Sequence, residues 1–144
     1  MKKKPDTSVT FQIKGVELME SCINPPSDPL APEIVFNFDI NIEHRINPEN
    51  DILIVVCTVL VFNEKRDEQL GKLKAGCIYL INDLKRFING ETKALELPEP
   101  VATALNSVSI STTRGLMFSM FRGTYLHNAV LPVVDPTSFA MQRQ

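Results

Sequence analysis

The sequence of 144 residues contains no tryptophan, two histidines and three cysteines, and these scarcities exclude several kinds of site. His44 and His127 form no HxH, HExxH or HxxxH arrangement, so a zinc site is not expected. Cys22, Cys57 and Cys77 show no CxxC spacing, and an odd number of thiols in apolar stretches is typical of buried free cysteines in a reducing compartment. We therefore expect neither a metal nor another cofactor.

Sequence motifs of catalysis and nucleotide binding are also absent. There is no GxGxxG, no Walker loop and no GxSxG. Cys57 and Cys77 are flanked by Val, Thr, Gly and Ile, whereas a nucleophilic thiol requires a polar, electropositive environment. The residues give no reason to expect an enzyme.

Clustered positive charge is lacking as well. The net charge of −2 and the pI near 5.7 argue against a nucleic-acid surface. The only basic run, Lys2 to Lys4, lies in residues 1–8, which we expect to be a flexible N-terminus before a single domain of residues 9–144. No apolar signal segment follows these lysines, and no uncharged run of about 18 residues could insert into a membrane, so we expect a cytoplasmic protein.

What the sequence does contain is an unbroken apolar run from Ile52 to Phe62, rich in β-branched residues and typical of a strand. Both alternating sets of side chains are apolar. One set comprises Ile52, Ile54, Val56, Leu60 and Phe62, and the other Leu53, Val55, Cys57, Val59 and Val61. Both faces of this strand therefore need covering: helices can cover one, and another subunit, a loop with a terminal helix, or a client must cover the second.

Three further strands are predicted around this run. Residues 9–23 alternate but slip at Gly15, and a bulge there would bring Phe11, Ile13, Val16 and Leu18 to one side. Residues 24–32 contain four prolines and predict a stiff crossover that is too long for a hairpin, so the first two strands need not be neighbours.

The remaining two strands flank the apolar run in sequence. Residues 34–46 alternate and lead through a turn into the run, which predicts an antiparallel pair. Residues 70–81 form a fourth strand, and Lys72 and Lys74 would protect the sheet if this strand lies at its edge.

The second half of the chain has helical spacing. A short helix over residues 84–88 is predicted with Asp83 or Asn82 as its cap, followed by a long helix from Pro100 to Arg122. The Ser/Thr-rich stretch 107–113 is a poor helix former, which leaves open whether the helix kinks there. An apolar line on the long helix comprises Val101, Leu105, Val108, Thr112 and Leu116, and a line of small residues comprises Ala104, Ser107, Ser111 and Gly115.

Small side chains allow another backbone to approach, so the second line predicts packing against a symmetry mate. Asp135 is placed to cap a last short helix that includes Phe139 and Met141. Together these elements predict an α+β fold: a four-stranded antiparallel sheet with a Greek-key-like crossover, one long helix packed on one face and a short C-terminal helix.

The apolar stretch from Leu116 to Phe121, with Tyr125 and Leu126 after it, has two interpretations. A helix on a sheet needs apolar contacts, so part of the stretch belongs to the core. Met and aromatic side chains also adapt to irregular partners, which favours a groove for apolar peptide segments.

Several strings in this sequence resemble the SecB family of bacterial export chaperones. They are Phe11-Gln12-Ile13-Lys14, the stretch from Gly115 through Arg122-Gly123-Thr124-Tyr125, and the stretch from Leu131 to Phe139. The resemblance extends over the layout of nearly the whole chain and is specific in sequence over residues 114–139.

The resemblance implies a homotetramer, a dimer of dimers whose long helices lie between the sheets. The contact residues would then be Ala104, Ser107, Val108, Ser111 and Gly115. It also implies a holdase that binds unfolded polypeptides without ATP. The residues that it places in the peptide groove are Ile23, Leu30, Val59, Val61, Phe139 and Met141. Delivery to the SecA motor would use acidic residues, for which Glu17 and Glu20 are the counterparts here.

Two other functions remain open on the same residues. One is an adaptor that binds a single cognate partner, as in SecB-like chaperones of toxin–antitoxin systems. The other is a small-molecule or catalytic domain, which would require a closed pocket with convergent polar groups.

Overall fold

The computed structural model describes residues 9–139, and the prediction of a flexible N-terminus over residues 1–8 lies outside that range. The main elements are β1 (Phe11–Ile23), β2 (Asn37–Asn47), β3 (Ile52–Phe62), β4 (Gln69–Ile81) and α1 (Glu99–Phe121). Short 3-10 helices cover Pro48–Asn50, Leu84–Phe87 and Pro136–Ser138. Within the described residues, no helix is long and apolar enough to cross a membrane.

The strands form one antiparallel sheet in the order β1-β4-β3-β2. This confirms the α+β prediction and the Greek-key-like crossover, because residues 24–36 carry the chain from one edge of the sheet to the other. Lys72 and Lys74 do not protect an edge of this sheet. They lie on β4, which is interior, and Lys72 Nζ forms an ion pair with Glu20 Oε2 at 3.0 Å.

Strand β1 contains two bulges where it pairs with β4. The register skips Lys14 and Met19, so the predicted bulge beside Gly15 is confirmed and the second one was not predicted. Because of the first bulge, Ile13, Val16 and Leu18 all face the same side of the sheet. Their partners on β4 are Tyr79, Cys77 and Ala75, which are buried.

Helix α1 packs over β3 and β4 and covers one side of the sheet. The set of β3 side chains that begins with Leu53 is fully buried on that side. On the opposite, open side, Val56 is buried and the other members of the set that begins with Ile52 are half-buried. Within the described residues, therefore, only one of the two apolar faces has a helix over it.

Helix α1 runs without interruption through its Ser/Thr-rich middle. The predicted apolar line of α1 does not form the side of the helix that faces the sheet, since Val108 is exposed. The buried residues are instead Leu105, Asn106, Ser109, Ile110, Thr113, Met117 and Phe121. Burial of the hydroxyls is tolerated because Ser109 Oγ donates to the carbonyl of Leu105 at 2.7 Å and Thr113 Oγ1 donates to that of Ser109 at 2.8 Å.

One of the two predicted helix caps is present in the structure and the other is not. Asp83 has a left-handed backbone with φ of 55° and makes no side-chain cap; Asp51 Oδ1 instead accepts from the Leu84 N–H at 3.1 Å. Asp135 does cap the last 3-10 helix, where its side chain accepts from the Thr137 N–H at 2.9 Å. The expected continuation through Met141 lies outside the described residues.

Candidate functional site

Four apolar side chains of β1 form a row on the helix side of the sheet, which we call the β1 row: Ile13, Val16, Leu18 and Ile23. Ile13, Val16 and Leu18 are 47%, 43% and 42% exposed, and Ile23 is half-buried. They remain accessible because α1 packs over β3 and β4 and not over the edge strand. This exposed apolar row, which Ser21 interrupts between Leu18 and Ile23, is a candidate interaction surface.

The main chain of β1 adds hydrogen-bonding capacity to this surface. Among the described strands, β1 pairs with β4 alone, so its outer edge faces no other strand. An extended peptide can add to such an edge, using main-chain hydrogen bonds for affinity and apolar contacts alongside. The alternation around Gly15 was the sequence signal for the row, but Ile13, Val16 and Leu18 were not predicted as site residues.

The predicted groove residues do not come together in one pocket. Ile23 ends the β1 row, and Leu30 is half-buried in the crossover. Leu30 lines a cavity of about 550 Å³ between the crossover and the β3–β4 connection. The carboxylates that share this cavity are Asp28, Glu33, Glu64, Asp67 and Glu68.

Two other predicted positions are corrected by their burial. Val59 and Val61 are 0% exposed on the helix side of β3, so they contribute to the core of the subunit and offer no surface to a ligand. The reason is the register of β3, which turns this set of side chains toward α1.

Phe139 lies at the far end of the helix from Ile23. Ile23 pairs with Gly71, which faces Phe121, whereas the Phe139 carbonyl is bonded to Asn106. Fifteen residues of helix separate Asn106 from Phe121, a distance of about 22 Å. Met141, the last predicted groove residue, is outside the described range.

A polar cluster lies beneath α1. Tyr79 Oη is 2.8 Å from Ser109 Oγ and donates to the Leu105 carbonyl at 3.3 Å. Burial raises the pKa of Tyr79 to about 12, although the hydrogen bond with Ser109 lowers it. Burial likewise raises the pKa of Cys57 to about 11, so this thiol is protonated at neutral pH and is not an activated nucleophile.

A second polar contact joins β2, α1 and the end of the described chain. His44 Nε2 lies 2.8 Å from Asn106 Oδ1, and Asn106 Nδ2 donates to the Phe139 carbonyl at 2.7 Å. Both His44 and Asn106 are 1% exposed. Burial lowers the pKa of His44, and its hydrogen bond with Asn106 opposes that shift.

The predicted oligomer residues lie away from the sheet. Ser107, Val108, Ser111 and Gly115 are exposed and Ala104 is half-buried, so the helix presents its line of small residues outward. A Cβ added at Gly115 would meet no atom within 4 Å.

The predicted SecA-binding residues lie on the open side of the sheet. Glu17 pairs in register with Gly76, and Glu20 with Lys74. Lys72 forms the ion pair with Glu20, so Glu20 lies between Lys72 and Lys74 and does not belong to an acidic patch. Over residues 9–139, no group of three or more His, Cys, Asp or Glu side chains is placed to hold a metal ion.

Comparisons with known proteins bear on the fold. No family model and no curated protein sequence matches the chain. Among solved structures, it is similar to the Mycobacterium tuberculosis SecB-like chaperone Rv1957 in complex with a ChAD peptide from the antitoxin HigA1. The TM-score is 0.64 at 11% identity, covering 86% of this chain and 89% of that one.

A Streptococcus agalactiae protein of unknown function also matches, with a TM-score of 0.43 at 11% identity, over 79% of this chain and 89% of that one. A likeness at this TM-score adds nothing to the assignment of the fold. The match to the Mycobacterium tuberculosis chaperone is the one that carries it. The chain therefore has a SecB-like fold.

Proposed function

We propose that this protein is a holdase chaperone that binds unfolded or extended polypeptides without ATP and without catalysing a reaction. The observation that carries the proposal is the β1 row, where three large apolar side chains remain more than two-fifths exposed on the helix side of the sheet. The SecB-like fold supports it, as does the peptide bound to the Mycobacterium tuberculosis chaperone.

An extended client lies along β1 in this proposal. Its apolar side chains leave water against the β1 row, which contributes about 25 cal/mol per Å² of apolar surface buried. Its main chain pairs with the free edge of the strand, and neither interaction depends on a particular sequence. Binding by burial requires no nucleotide, which agrees with the absence of nucleotide-binding motifs.

The client surface extends beyond the row at one end. Ile23 is the last residue of the row, and beyond it we include Leu30, which is half-buried in the crossover. Phe139 belongs to a separate contact, about 22 Å along the helix from Ile23. Because about 22 Å separates the two ends, a client that reaches both needs about seven extended residues.

We further propose that the chain associates with itself through the outward line of α1. The small side chains of Ala104, Ser107, Ser111 and Gly115 permit close approach of a second helix, and Val108 adds apolar area. This contact uses the outer side of the helix and leaves the β1 row available to clients.

The proposal is tested by aggregation of a chemically denatured client after dilution into buffer without nucleotide. We expect the purified protein to suppress light scattering at stoichiometric ratios. Leu18→Ser removes the exposed part of this leucine, about half of its side-chain surface, from contact with the client. About five times more protein should therefore be needed for half-maximal suppression of aggregation.

Met19→Ser is the matched control. Met19 is 40% exposed next to Leu18, but it sits in the second bulge against Gly76 on the open side of the sheet. The control should protect the client as the unaltered protein does. If the protein at stoichiometric excess did not suppress aggregation, the holdase function would be contradicted. If Leu18→Ser and Met19→Ser lost protection equally, the β1 row would not be the client surface.

The second candidate function is an adaptor for one cognate protein. The specific observation in its favour is that the structurally similar chaperone was solved with a peptide from an antitoxin. An adaptor would bind one partner tightly and leave a panel of denatured clients unprotected. We do not extend either function to a SecA contact, because Lys72 and Lys74 flank Glu20.

A further inference from the structure

The last described residue, Phe139, is fixed beside a cavity at the start of α1. Its carbonyl accepts a hydrogen bond from Asn106 Nδ2 at 2.7 Å, and Asn106 is buried. The Phe139 side chain is half-buried and packs against the hydrophobic core. Because Phe139 also lines the cavity, the chain that continues from it starts at a fixed point of the cavity wall.

This cavity of about 380 Å³ combines an apolar lining with two carboxylates. Its apolar lining residues are Leu95, Leu97, Ala102 and Phe139. The carboxylates are those of Glu96 and Glu99, both exposed, and the lining residues include no lysine or arginine. Such a lining suits an apolar side chain with a cation close behind it.

Of the two carboxylates, Glu99 is the better placed to receive a cation. Glu96 Oε1 already accepts a hydrogen bond from Asn89 Nδ2 at 3.3 Å. Glu99, in the first turn of α1, forms no ion pair with any residue in the range 9–139. A cation beside Glu99 would therefore compete with no existing ion pair.

The residues that follow Phe139 in the sequence match this lining in their order: Ala140-Met141-Gln142-Arg143-Gln144. They lie outside the described range. Phe139 has an extended backbone, with φ of −111° and ψ of 92°, and in an extended chain every second side chain lies on the same side. Met141 and Arg143 would then follow Phe139 on one side at intervals of about 7 Å. The flexible thioether of Met141 suits an irregular apolar cavity, and Arg143 supplies the cation.

We propose that the segment 140–144 docks onto its own subunit, with Met141 in this cavity and Arg143 paired with Glu99. The free energy gained by burying one methionine is of the same order as the cost of ordering two residues, so the docking is reversible. A client that reaches Phe139 therefore displaces Met141. This last step rests on the proposed function, whereas the docking itself does not.

Tryptophan fluorescence of the purified full chain tests the docking without any client, because the sequence contains no tryptophan. Met141→Trp places a single reporter at the docking residue. Val133→Trp gives the emission of an exposed tryptophan, since Val133 is 95% exposed. We expect Met141→Trp to emit at shorter wavelength and to be quenched less by acrylamide than Val133→Trp. Equal emission and quenching in the two variants would overturn the docking.

Filling the cavity tests whether Met141 docks there or elsewhere. In the Met141→Trp protein, Ala102→Phe adds a ring to the cavity from the first turn of α1, so the emission should shift to longer wavelength. Ala31→Phe is the matched control, because it makes the same change at an exposed alanine of the crossover, and it should leave the emission unchanged. An emission that Ala102→Phe leaves unchanged would overturn this cavity as the site.

A charge exchange tests the pair between Arg143 and Glu99, and it needs no substitution in the cavity wall. In the Met141→Trp protein, Arg143→Glu and Glu99→Lys should each shift the emission to longer wavelength, because like charges then meet. The two changes together should restore the shorter wavelength, which a loss of folding would not do. A combined variant that behaves like the single ones would overturn the pairing.

Two further measurements on Met141→Trp fix the occupant and its relation to clients. A shift to shorter wavelength that appears only as the protein concentration is raised would assign the cavity to a second copy and overturn docking within one subunit. Addition of an unfolded, tryptophan-free polypeptide should shift the emission to longer wavelength. Unchanged emission while that polypeptide is protected from aggregation would overturn the displacement and retain the docking, whereas a lack of protection would count against the holdase function alone.

Discussion

At the scale of single residues, the polar side chains beneath α1 show why a Ser/Thr-rich helix can cover an apolar sheet. Each buried hydroxyl has a partner: Ser109 and Thr113 donate to helix carbonyls, and Tyr79 reaches Ser109. Throughout residues 9–139, no buried side-chain nitrogen or oxygen lacks a hydrogen bond. The desolvation cost of these groups is thereby offset, and small side chains let the helix approach the sheet closely.

Tyr79→Phe should destabilise the protein by about 1 kcal/mol. The substitution removes the phenol hydroxyl from Ser109 and from the Leu105 carbonyl, while Ser109 keeps its own bond to that carbonyl. Urea unfolding followed by far-UV circular dichroism measures the change in the free energy of unfolding.

The other tyrosine supplies the control for this substitution. Tyr125 is exposed after the end of α1, so Tyr125→Phe should change the free energy of unfolding by less than about 0.5 kcal/mol. Equal changes for the two variants would show that the buried hydroxyl cluster contributes no net stability.

At the scale of elements, α1 has two unlike sides. Its inward side fills the core over β3 and β4, and its outward side presents a line of small residues, of which Gly115 has open space around it. The same division appears in β1, where the bulge beside Gly15 keeps the apolar row in phase and the edge position of the strand places that row beyond the helix. Both elements therefore expose apolar or small side chains that the subunit itself does not bury.

Gly115→Gln tests whether the outward side of α1 is a contact between subunits. Glutamine is a better helix former than glycine by about 0.5–1 kcal/mol, and no atom lies within 4 Å of a Cβ at this position, so the subunit itself should not lose stability. A close helix–helix contact would, however, be blocked by the longer side chain. We expect light scattering to report a smaller assembly for this variant.

Gly90→Gln is the corresponding control, because Gly90 is exposed outside α1 and a Cβ added there would also meet no atom within 4 Å. It should leave the measured mass unchanged. If Gly115→Gln also kept the mass of the unaltered protein, the line of small residues would not be the self-association surface.

At the scale of the whole molecule, one buried histidine couples pH to stability. Burial lowers the pKa of His44 from its ordinary 6.5, so the folded protein binds fewer protons than the unfolded chain. The stability from the neutral imidazole is fully present above pH 6.5 and declines as pH falls below it. Glu43, whose pKa is lowered by its bond with Arg45, adds to the decline only at more acidic pH, below about 4.5.

The urea midpoint should therefore decrease between pH 6.5 and 5 in the unaltered protein. His44→Gln should remove most of this dependence, because glutamine has no proton to gain. A midpoint that falls equally in both proteins over this range would assign the pH dependence to other groups.

Much of the fold could be predicted from local patterns. Alternation placed the four strands, proline density identified the crossover, and the slip at Gly15 indicated the bulge. The inward side of α1 could not be predicted in this way, because Ser109 and Thr113 lack apolar character and become compatible with burial only through bonds within the helix. The position of β4 also escaped prediction, since pairing with β1 depends on where the crossover delivers the chain.

By itself, the sequence determined the α+β class, the apolar strand at the centre of the sheet and the excess of apolar surface, because these follow from the period and composition of short segments. Only the tertiary structure decided which surface is left open. Val59 and Val61 are buried and Leu18 is exposed because α1 packs over β3 and β4 and stops short of β1. That choice depends on contacts between residues far apart in the chain, which no local pattern encodes.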